Sequence, residues 1–563
     1  MGESFISSAL SWGLTVALAT MIVFGLGRGY RHRRKVRSLR EMGIPIAAHS
    51  WLWGHLPIFI DFRKEHPPDI CINVLHMWLE RNFHRYCPGL KKPPAVIYLD
   101  LWPLGPSFAL VYDANAVGQF TRIKSFPKER NLLNYIKPLT SNLDLISADG
   151  DTWKLLRARF SPGFSQKTIV KQLPELMSDV SVFTDELKRA SGSDVTWGSV
   201  VQLRELASKM TFNVICKTTL GRSFSQQSSS LKISLRSALL DQIHLMDVGN
   251  DWLTLRRHSP WYQATVSSNN AKIRDIIVPM IRDILSSTST DDSTMAGNSA
   301  MEMAIQHARF EGLGDAELTQ DVFSDTLISN LKAFLFAGED TTASTICFMF
   351  KRLQDNPECL RLMQEEHDRV LGPKPDKVQE ILTADPNLLY KLPYTLAVIK
   401  ETLRLHPLAS TSRDIPEAFD LIVPCESSTA PSRFPLQGFA PWIAASSIQQ
   451  NPENWPRPTD FLPERWMQNE DSAKRPQKDA WIPFSLGPRT CTGMELALAQ
   501  LRLVCVFLAR TLDIREAWEE WDAIRGISAT PQHMVGGARL YEVGTGLSQP
   551  KDGMPIRVKL HWR

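Results

Sequence analysis

The sequence of 563 residues lacks the patterns that mark several common protein classes. Its eight cysteines are scattered, with neither a Cys-x-x-Cys pair nor the spacing of a disulfide framework, so a reducing compartment fits them best. There is no internal repeat, and no Gly/Ser-rich or Pro-rich linker divides residues 50–563. We therefore expect one large domain, long enough to bury a cofactor and a substrate together.

The sequence also lacks a strong excess of charge. Its formal net charge is +4, but residues 1–40 hold seven basic residues and one acid, so the rest of the chain sums to −2. A nearly neutral body argues against a nucleic-acid-binding protein. Membrane topology and anionic lipid headgroups explain the basic cluster better.

One long apolar segment is present, close to the N-terminus. Residues 5–26 carry no charge and would form a helix of about 33 Å, enough to cross the hydrocarbon core of a bilayer. Basic residues follow from Arg28 onward, so the positive-inside rule places the rest of the chain in the cytosol. A cleaved signal peptide is the alternative, but the residues before the segment include Glu3 and no Lys or Arg.

Helical periodicity dominates the body, and strand-like pieces are short. The pattern predicts helices over Ile169–Ala190, Ser199–Leu220, Ala271–Leu285, Ser324–Gln354, Asn387–Leu405 and Met494–Leu508. It predicts strands over Ala95–Leu101, Phe108–Val111, Leu421–Val423, Arg539–Val543 and Pro555–Leu560. The low-complexity stretch Ser286–Ala300 is expected to be a loop. These elements indicate a mainly α fold with small peripheral sheets.

The stretch from Phe484 to Gly493 places Cys491 on a glycine-containing loop that opens into the predicted helix beginning at Met494. The free N–H groups of the first helical turn would point back at the sulfur and lower its thiol pKa. Gly487 and Gly493 would let the backbone pass close to a flat macrocycle. Phe484 would pack beside the sulfur, and Arg489 would reach an acidic ring substituent. The pattern predicts a thiolate ligand for haem.

The predicted helix Ser324–Gln354 contains residues that disfavour helix, at Ala337-Gly338-Glu339-Asp340-Thr341-Thr342. Local rules broken inside an apolar helix suggest a functional site. Gly338 would let a flat ring or dioxygen approach the backbone. Thr341 would bond back to a carbonyl and open a groove, and Asp340 would pass protons inward.

Both segments resemble motifs of the cytochrome P450 family. The loop matches all five fixed positions of Phe-x-x-Gly-x-Arg-x-Cys-x-Gly, and the helix keeps Ala-Gly-x-Asp/Glu-Thr-Thr. The resemblance implies the family's helix-rich fold, with haem b (iron protoporphyrin IX) as cofactor and Cys491 as ligand to its iron. It implies an anchor over residues 1–27, a basic and proline-containing linker over 28–50 and a haem-thiolate catalytic domain over 51–563, at the endoplasmic reticulum membrane.

Six further residues resemble parts of family motifs. Glu401 and Arg404 with Arg465 imply a buried structural network before the cysteine loop, although Trp466 stands where phenylalanine is more usual and Gln449 departs from a common histidine. The resemblance also implies that Trp153, Arg157 and Arg413 contact haem propionates.

The resemblance implies a monooxygenase that takes dioxygen and electrons from a separate NADPH–cytochrome P450 reductase, because no flavin or dinucleotide motif follows the haem region. Asp340 and Thr341 would relay the protons. A haem-thiolate isomerase or dehydratase and a non-enzymatic haem sensor are the alternatives; retention of the two relay residues disfavours the first. The apolar segments at 132–145, 240–261, 331–336, 408–412 and 543–547 predict a hydrophobic substrate, which we expect to be a fungal secondary-metabolite intermediate, a terpenoid or polyketide.

Overall fold

The computed structural model describes residues 2–561 except a set of short segments. Outside the description are residues 1, 104, 193–195, 222–228, 250–255, 288–298, 319, 425–431, 469–476, 478, 528–529, 531–532 and 562–563. Most of the expected Ser286–Ala300 loop therefore lies outside the described residues. Ser299, at its end, caps the next helix by accepting a hydrogen bond from the N–H of Glu302.

The described chain is mainly helical, as the sequence predicts. In chain order its α-helices are α1 (Gly2–Glu41), α2 (Leu56–Glu65), α3 (Val74–Arg81), α4 (Phe83–Tyr86), α5 (Ala114–Gly118), α6 (Arg130–Thr140), α7 (Gly150–Phe160), α8 (Gln166–Ala190), α9 (Leu203–Leu220), α10 (Ser229–Gly249), α11 (Pro260–Ser287), α12 (Ala300–Phe310), α13 (Asp315–Leu318), α14 (Asp321–Asp355), α15 (Pro357–Leu371), α16 (Val378–Ala384), α17 (Pro393–Leu405), α18 (Ala445–Ile448), α19 (Met494–Leu508) and α20 (Trp518–Arg525).

The strands form small sheets at the periphery of the helices. They are β1 (Val96–Asp100), β2 (Ser107–Val111), β3 (Val201–Gln202), β4 (Asp420–Val423), β5 (Ser432–Pro435), β6 (Ala440–Ile443), β7 (Leu512–Glu516), β8 (Glu542–Val543), β9 (Gln549–Pro550) and β10 (Pro555–Leu560). One sheet has the order β1-β2-β6, with β1 and β2 antiparallel and β2 and β6 parallel. Another has the antiparallel order β3-β10-β7, and β4-β5 and β8-β9 are two-stranded.

Several predicted helix boundaries differ from the structure, and proline explains one of them. The predicted helix Ser199–Leu220 begins only at Leu203, because Val201–Gln202 pairs with β10 as strand β3. The predicted helix Asn387–Leu405 begins only at Pro393, and Pro386–Tyr390 forms a separate tight turn. Proline is favourable at a helix start and unfavourable inside a helix, so the segment divides there. The predicted helix Ala271–Leu285 is the second half of α11, which begins at Pro260, because polar residues in its first half hide the apolar period.

Helix α14 lies at the centre of the largest hydrophobic cluster. Its buried residues on both sides of the polar turn include Leu331, Leu335, Ile346 and Met349, and it packs along α9. The helix runs unbroken from Asp321 to Asp355. Burial of its apolar surface therefore outweighs the unfavourable local propensity of residues 337–342.

The N-terminal helix α1 runs across the expected boundary between residues 27 and 28 without a break. Its C-terminal half packs onto the body, where the Arg33 side chain is 1% exposed, pairs with the buried Asp100 and donates to the carbonyl of Leu52 over 3.1 Å. Val36 and Leu39 are buried beside it. Among the residues that the structure describes, no helix combines the length and apolar character that a membrane crossing requires.

Candidate active site

The cysteine loop is held in a fixed shape by its own backbone. The N–H of Cys491 donates to the carbonyl of Phe484 over 2.9 Å, which closes the loop just before α19. Gly487 has a φ of +75°, and a Cβ at this position would collide with the carbonyl of Thr121. Glycine is therefore required here by both conformation and space. The ring of Phe484 packs against Trp481 with centroids 5.9 Å apart.

The thiol of Cys491 is accessible although protein surrounds it closely. Desolvation raises its pKa above the ordinary value, while the N–H of Gly493 and the positive charge of Arg157 act in the opposite direction. A cation that replaces the lost hydration would tip this balance toward the thiolate. The site is therefore suited to a sulfur that becomes a metal ligand.

Arg157 and Arg489 connect the loop to α7 and to the residues before it. The Nη1 of Arg157 donates to the carbonyl of Thr490 over 2.9 Å and also contacts the hydroxyl of Thr492. Arg489 donates to the carbonyl of Ala148 over 2.8 Å and pairs with Asp149.

Helix α7 places Trp153 against this group. The guanidinium of Arg489 lies 4.7 Å from the centre of the Trp153 ring. The expected pair Trp153 and Arg157, four residues apart on α7, thus faces the cysteine loop.

Arg413 and Lys128 lie close to Arg489. Arg413 is fully buried, and its Nε and Nη1 have no hydrogen-bond partner among the described residues. Burial and the neighbouring Arg489 lower its pKa to about 10. Lys128 pairs with Arg413 in a β-bridge and donates to the hydroxyl of Thr411 over 2.9 Å. Burial, Arg413 and Arg489 together lower the pKa of Lys128 well below its ordinary value.

These residues fit the haem group that the sequence predicts. Lys128, Arg413 and Arg489 are buried cations that repel one another, and the partly exposed Asp149 is the acid that acts on the two arginines. Such an arrangement is costly unless a group of opposite charge joins it. The two carboxylates of a protoporphyrin would supply that charge and would satisfy the free N–H groups of Arg413. Cys491, which is exposed, would supply the sulfur ligand to the iron of that group.

The polar turn of α14, residues 337–342, makes one contact that the sequence predicts and others that it does not. The hydroxyl of Thr341 donates to the carbonyl of Ala337 over 2.8 Å, which is the expected bond back to the helix backbone. Asp340 accepts two hydrogen bonds from Arg204, at 2.9 and 2.6 Å, and one from Gln549 at 2.5 Å. A carboxylate held by partners on α9 and β9 is fixed in its orientation.

The structure shows a different reason for Gly338 than the predicted approach of a ring or dioxygen. A Cβ at this position would lie 2.8 Å from Cγ1 of Ile215 on α9, closer than real side chains come. The glycine therefore permits the close packing of α9 against α14. Its contact with the cofactor remains a prediction.

Glu401, Arg404 and Arg465 form the buried network that the sequence predicts. Arg404 donates to both carboxylate oxygens of Glu401, at 2.9 and 2.8 Å, and Arg465 donates to Oε1 over 3.0 Å. The N–H of Leu462 adds a further bond of 3.0 Å. All the charges of this network are thus paired in the interior.

Gln449 connects this network to the cysteine loop. Its Nε2 donates to the carbonyl of Arg404 over 2.9 Å, and its Oε1 accepts the N–H of Ile482 over 2.7 Å. Ile482 lies two residues before Phe484. The glutamine that departs from the family pattern therefore joins the helix end at Arg404 to the segment that leads into the cysteine loop.

Sequence reasoning missed several residues of the site. Lys128, Arg204 and Gln549 occur in segments without a recognisable motif, and a single basic or amide residue is common on any surface. The carboxyl of Asp340 indicates that a partner is needed inside the protein, but only the fold brings α9 and β9 beside it.

Comparison with known proteins agrees with this geometry. The family model for cytochrome P450 matches residues 65–517. The chain is 30% identical to the cytochrome P450 monooxygenase polC of Polytolypa hystricis, over 98% of this chain and 96% of that protein. It is 27% identical to the cytochrome P450 monooxygenase acrF of Aspergillus aculeatus, over 82% and 93%. The crystal structure of the cytochrome P450DA heme domain superposes with a TM-score of 0.64 at 16% identity, over 92% of this chain and 98% of that one. The arrangement around Cys491 and the match over most of the sequence together show that the chain belongs to the cytochrome P450 monooxygenase family.

Proposed function

We propose that this cytochrome P450 inserts one oxygen atom from dioxygen into a hydrophobic small molecule, using Cys491 as the haem ligand and Asp340 with Thr341 as the proton relay. The observation that supports it best is the joint arrangement of the exposed Cys491 and the buried Arg413, whose Nε and Nη1 have no hydrogen-bond partner among the described residues. The polar turn of α14 adds the hydrogen-bonded acid and hydroxyl that oxygen activation requires.

The chain's own residues have defined tasks in this proposal. Haem bound through a thiolate supplies the redox chemistry that activates dioxygen. Arg413 and Arg489, with Lys128 beside them, hold the cofactor's carboxylates, and the N–H of Gly493 together with Arg157 stabilises negative charge on the sulfur of Cys491.

Proton transfer is assigned to the middle of α14. Arg204 and Gln549 fix the carboxylate of Asp340. The hydroxyl of Thr341 donates to the carbonyl of Ala337, and its oxygen can still accept a hydrogen bond. Because a hydroxyl can accept and donate at once, Thr341 is suited to hold a water molecule at the groove. The relay then passes protons from the Asp340 side toward the bound dioxygen.

The substrate is proposed to be a terpenoid or polyketide intermediate of fungal secondary metabolism. The fungal origin of the relatives polC and acrF supports this proposal. The expected wall segment 331–336 is apolar: Phe334 packs in the core against Phe160 and Phe164, with ring centroids 5.2 and 5.0 Å apart. Apolar surroundings of this kind favour a hydrophobic molecule.

An NADPH–cytochrome P450 reductase is the proposed electron donor, with the enzyme anchored in the endoplasmic reticulum membrane by its first 27 residues. Membership of the cytochrome P450 monooxygenase family supports a redox partner. Exposed apolar side chains on α1, such as Met21, Val23 and Phe24, support contact with lipid.

Replacement of the cysteine tests the proposed function. Cys491→His should leave a haem protein without turnover and without the red-shifted Soret band that carbon monoxide gives with a thiolate ligand. Cys505→Ser, which changes a buried cysteine outside the loop, is the matched control and should keep the band. If Cys491→His retained the band, the ligand assignment would be wrong. Binding spectra against a panel of terpenoid and polyketide intermediates would identify the substrate.

A further inference from the structure

Glu339, the residue before Asp340, is a buried carboxylate that the proposed relay does not use. It is 2% exposed, and its Oε1 accepts hydrogen bonds from the hydroxyl of Ser208 over 2.6 Å and from Nε of Arg236 over 3.0 Å. Its Oε2 has no hydrogen-bond partner among the described residues. Burial of a half-satisfied acid is unfavourable, so its position next to the relay points to a functional reason.

The contacts of Glu339 connect three helices. Ser208 lies on α9, Arg236 lies on α10, and the Nη2 of Arg236 donates to the Ser208 hydroxyl over 2.8 Å. The backbone carbonyl of Glu339 accepts the hydroxyl of Thr211 over 2.6 Å. The turn that carries Asp340 and Thr341 is therefore fixed to α9 through side chain and backbone, and to α10 through one ion pair.

Helix α10 in turn contacts segments that are candidates for the substrate walls. Gln242 on α10 donates to the carbonyl of Pro138 on α6 over 2.7 Å and accepts a hydrogen bond of 2.9 Å from Asn269 on α11. A displacement of α6 or α11 by an entering molecule would therefore reach α10, and Arg236 is the residue through which α10 holds Glu339. Because packed helices shift as units, a movement of α10 would be felt at Glu339.

We propose that Glu339 is a positioning residue of the oxygen-activating turn, and that its ion pair with Arg236 transmits the position of α10 to Asp340 and Thr341. The inference rests on the proposed monooxygenase function. Loss of the pair loosens the turn, so the relay delivers protons less efficiently for cleavage of the O–O bond. More dioxygen is then released as hydrogen peroxide, after it has taken two electrons from the reductase and two protons from solvent. Binding of haem and substrate, which depends on other residues, stays intact.

A second glutamate provides a matched control. Glu205 on α9 also pairs with Arg236, at 3.6 Å, but its side chain is 51% exposed. Both Glu339→Gln and Glu205→Gln remove one negative charge beside the same arginine. Only the first acts on the contact between α10 and α14, because it replaces the ion pair of Glu339 with Arg236 by a weaker neutral hydrogen bond, so the two variants separate the link from the charge.

The first measurement is the product-to-peroxide ratio with a reductase. Glu339→Gln and Arg236→Gln should each lower it about fivefold, less than the about 10²- to 10⁴-fold effect of a residue that transfers the proton itself. The double variant should be no worse than either single one, because both remove the same link. The Glu205→Gln control should match the unaltered enzyme, and all variants should keep the carbon-monoxide band and the substrate affinity.

The second measurement needs no turnover. Amide hydrogen exchange of the ferric protein over residues 335–343 should be faster in Glu339→Gln and Arg236→Gln than in Glu205→Gln. If Glu339→Gln does not fold, Ser208→Ala removes the other bond to the same oxygen and should give a smaller shift of the same sign.

Three outcomes are distinguishable. An unchanged ratio in Glu339→Gln or Arg236→Gln, with a lowered ratio in Thr341→Ala, overturns the positioning role and leaves the monooxygenase function standing. An unchanged ratio in Thr341→Ala as well removes the relay on which both rest. A lowered ratio in Glu205→Gln equal to that of Glu339→Gln shows that only the charge near Arg236 matters, which also overturns the link.

Discussion

The indole N–H of Trp466 donates to Oε2 of the buried Glu401 over 3.0 Å. Phenylalanine, the more usual residue at this position of the family motif, cannot make that bond. Among the described residues, Oε2 accepts one other hydrogen bond, from Arg404, so the tryptophan replaces part of the solvation that this carboxylate loses on burial. The departure from the family pattern therefore strengthens the network that supports the cysteine loop.

Trp466→Phe should destabilise the protein by about 1.5–3 kcal/mol, the usual contribution of a hydrogen bond to a charged group. The control is Trp481→Phe, whose indole donates to the neutral carbonyl of Lys400 over 3.2 Å and whose loss should cost about 0.5–1.5 kcal/mol. Denaturant unfolding of the ferric protein gives both values. A loss for Trp466→Phe no greater than for Trp481→Phe would contradict the assignment.

Gly338→Ala should destabilise the contact between α9 and α14. The added methyl would lie 2.8 Å from Cγ1 of Ile215, and overpacking of this kind costs about 1–3 kcal/mol. In an Ile215→Ala background the cost should fall toward zero, because the colliding atoms are gone. A double-mutant cycle on the free energy of unfolding measures this coupling. Equal costs in both backgrounds would show that Gly338 is required for another reason, such as access to the cofactor.

Short motifs that contain several functional residues were predicted well from the sequence. The loop around Cys491 and the bond from Thr341 to the Ala337 carbonyl depend on residues close together in sequence or on helical spacing, so their geometry follows from local rules. The P450 fold and the buried Glu401 network, whose Arg465 lies 64 residues from Glu401, followed from the resemblance to the family. The roles assigned to the site residues remain predictions.

Contacts between distant segments could not be predicted. Lys128 meets Arg413 through a β-bridge, and Gln549 reaches Asp340 from β9; neither pair has a sequence period or spacing that indicates it. The short strands β5 and β6 were missed because each contains a proline, Pro435 and Pro441, which argues against a strand in the sequence. The basic residues after the apolar segment were assigned to lipid headgroups, whereas Arg33 is buried against Asp100.

Deletion of residues 1–27 should release the protein from the membrane fraction and leave it folded. Residues 28–41 would stay docked, because Arg33 and the buried Val36 hold this part of α1 on the body. The truncated form should therefore keep the carbon-monoxide band of the full chain, which serves as the control for folding. Carbonate extraction checks the membrane association. A truncated form that still resists extraction would show that another segment crosses the bilayer.

Thr341→Ala should uncouple the enzyme more than it weakens substrate binding. Substrate contacts are expected to come from several loops, so loss of one hydroxyl changes affinity little, whereas proton delivery depends on the small relay of Thr341 and Asp340. Consumption of NADPH should continue while product per NADPH falls and hydrogen peroxide rises. Thr345→Ala is the matched control, because its hydroxyl makes the equivalent bond to the carbonyl of Thr341, at 2.9 Å, one turn further along α14. The product-to-peroxide ratio in a system reconstituted with reductase measures the effect. An unchanged ratio and rate in Thr341→Ala would remove the relay role and favour the isomerase or dehydratase alternative, which needs no delivery of protons to dioxygen.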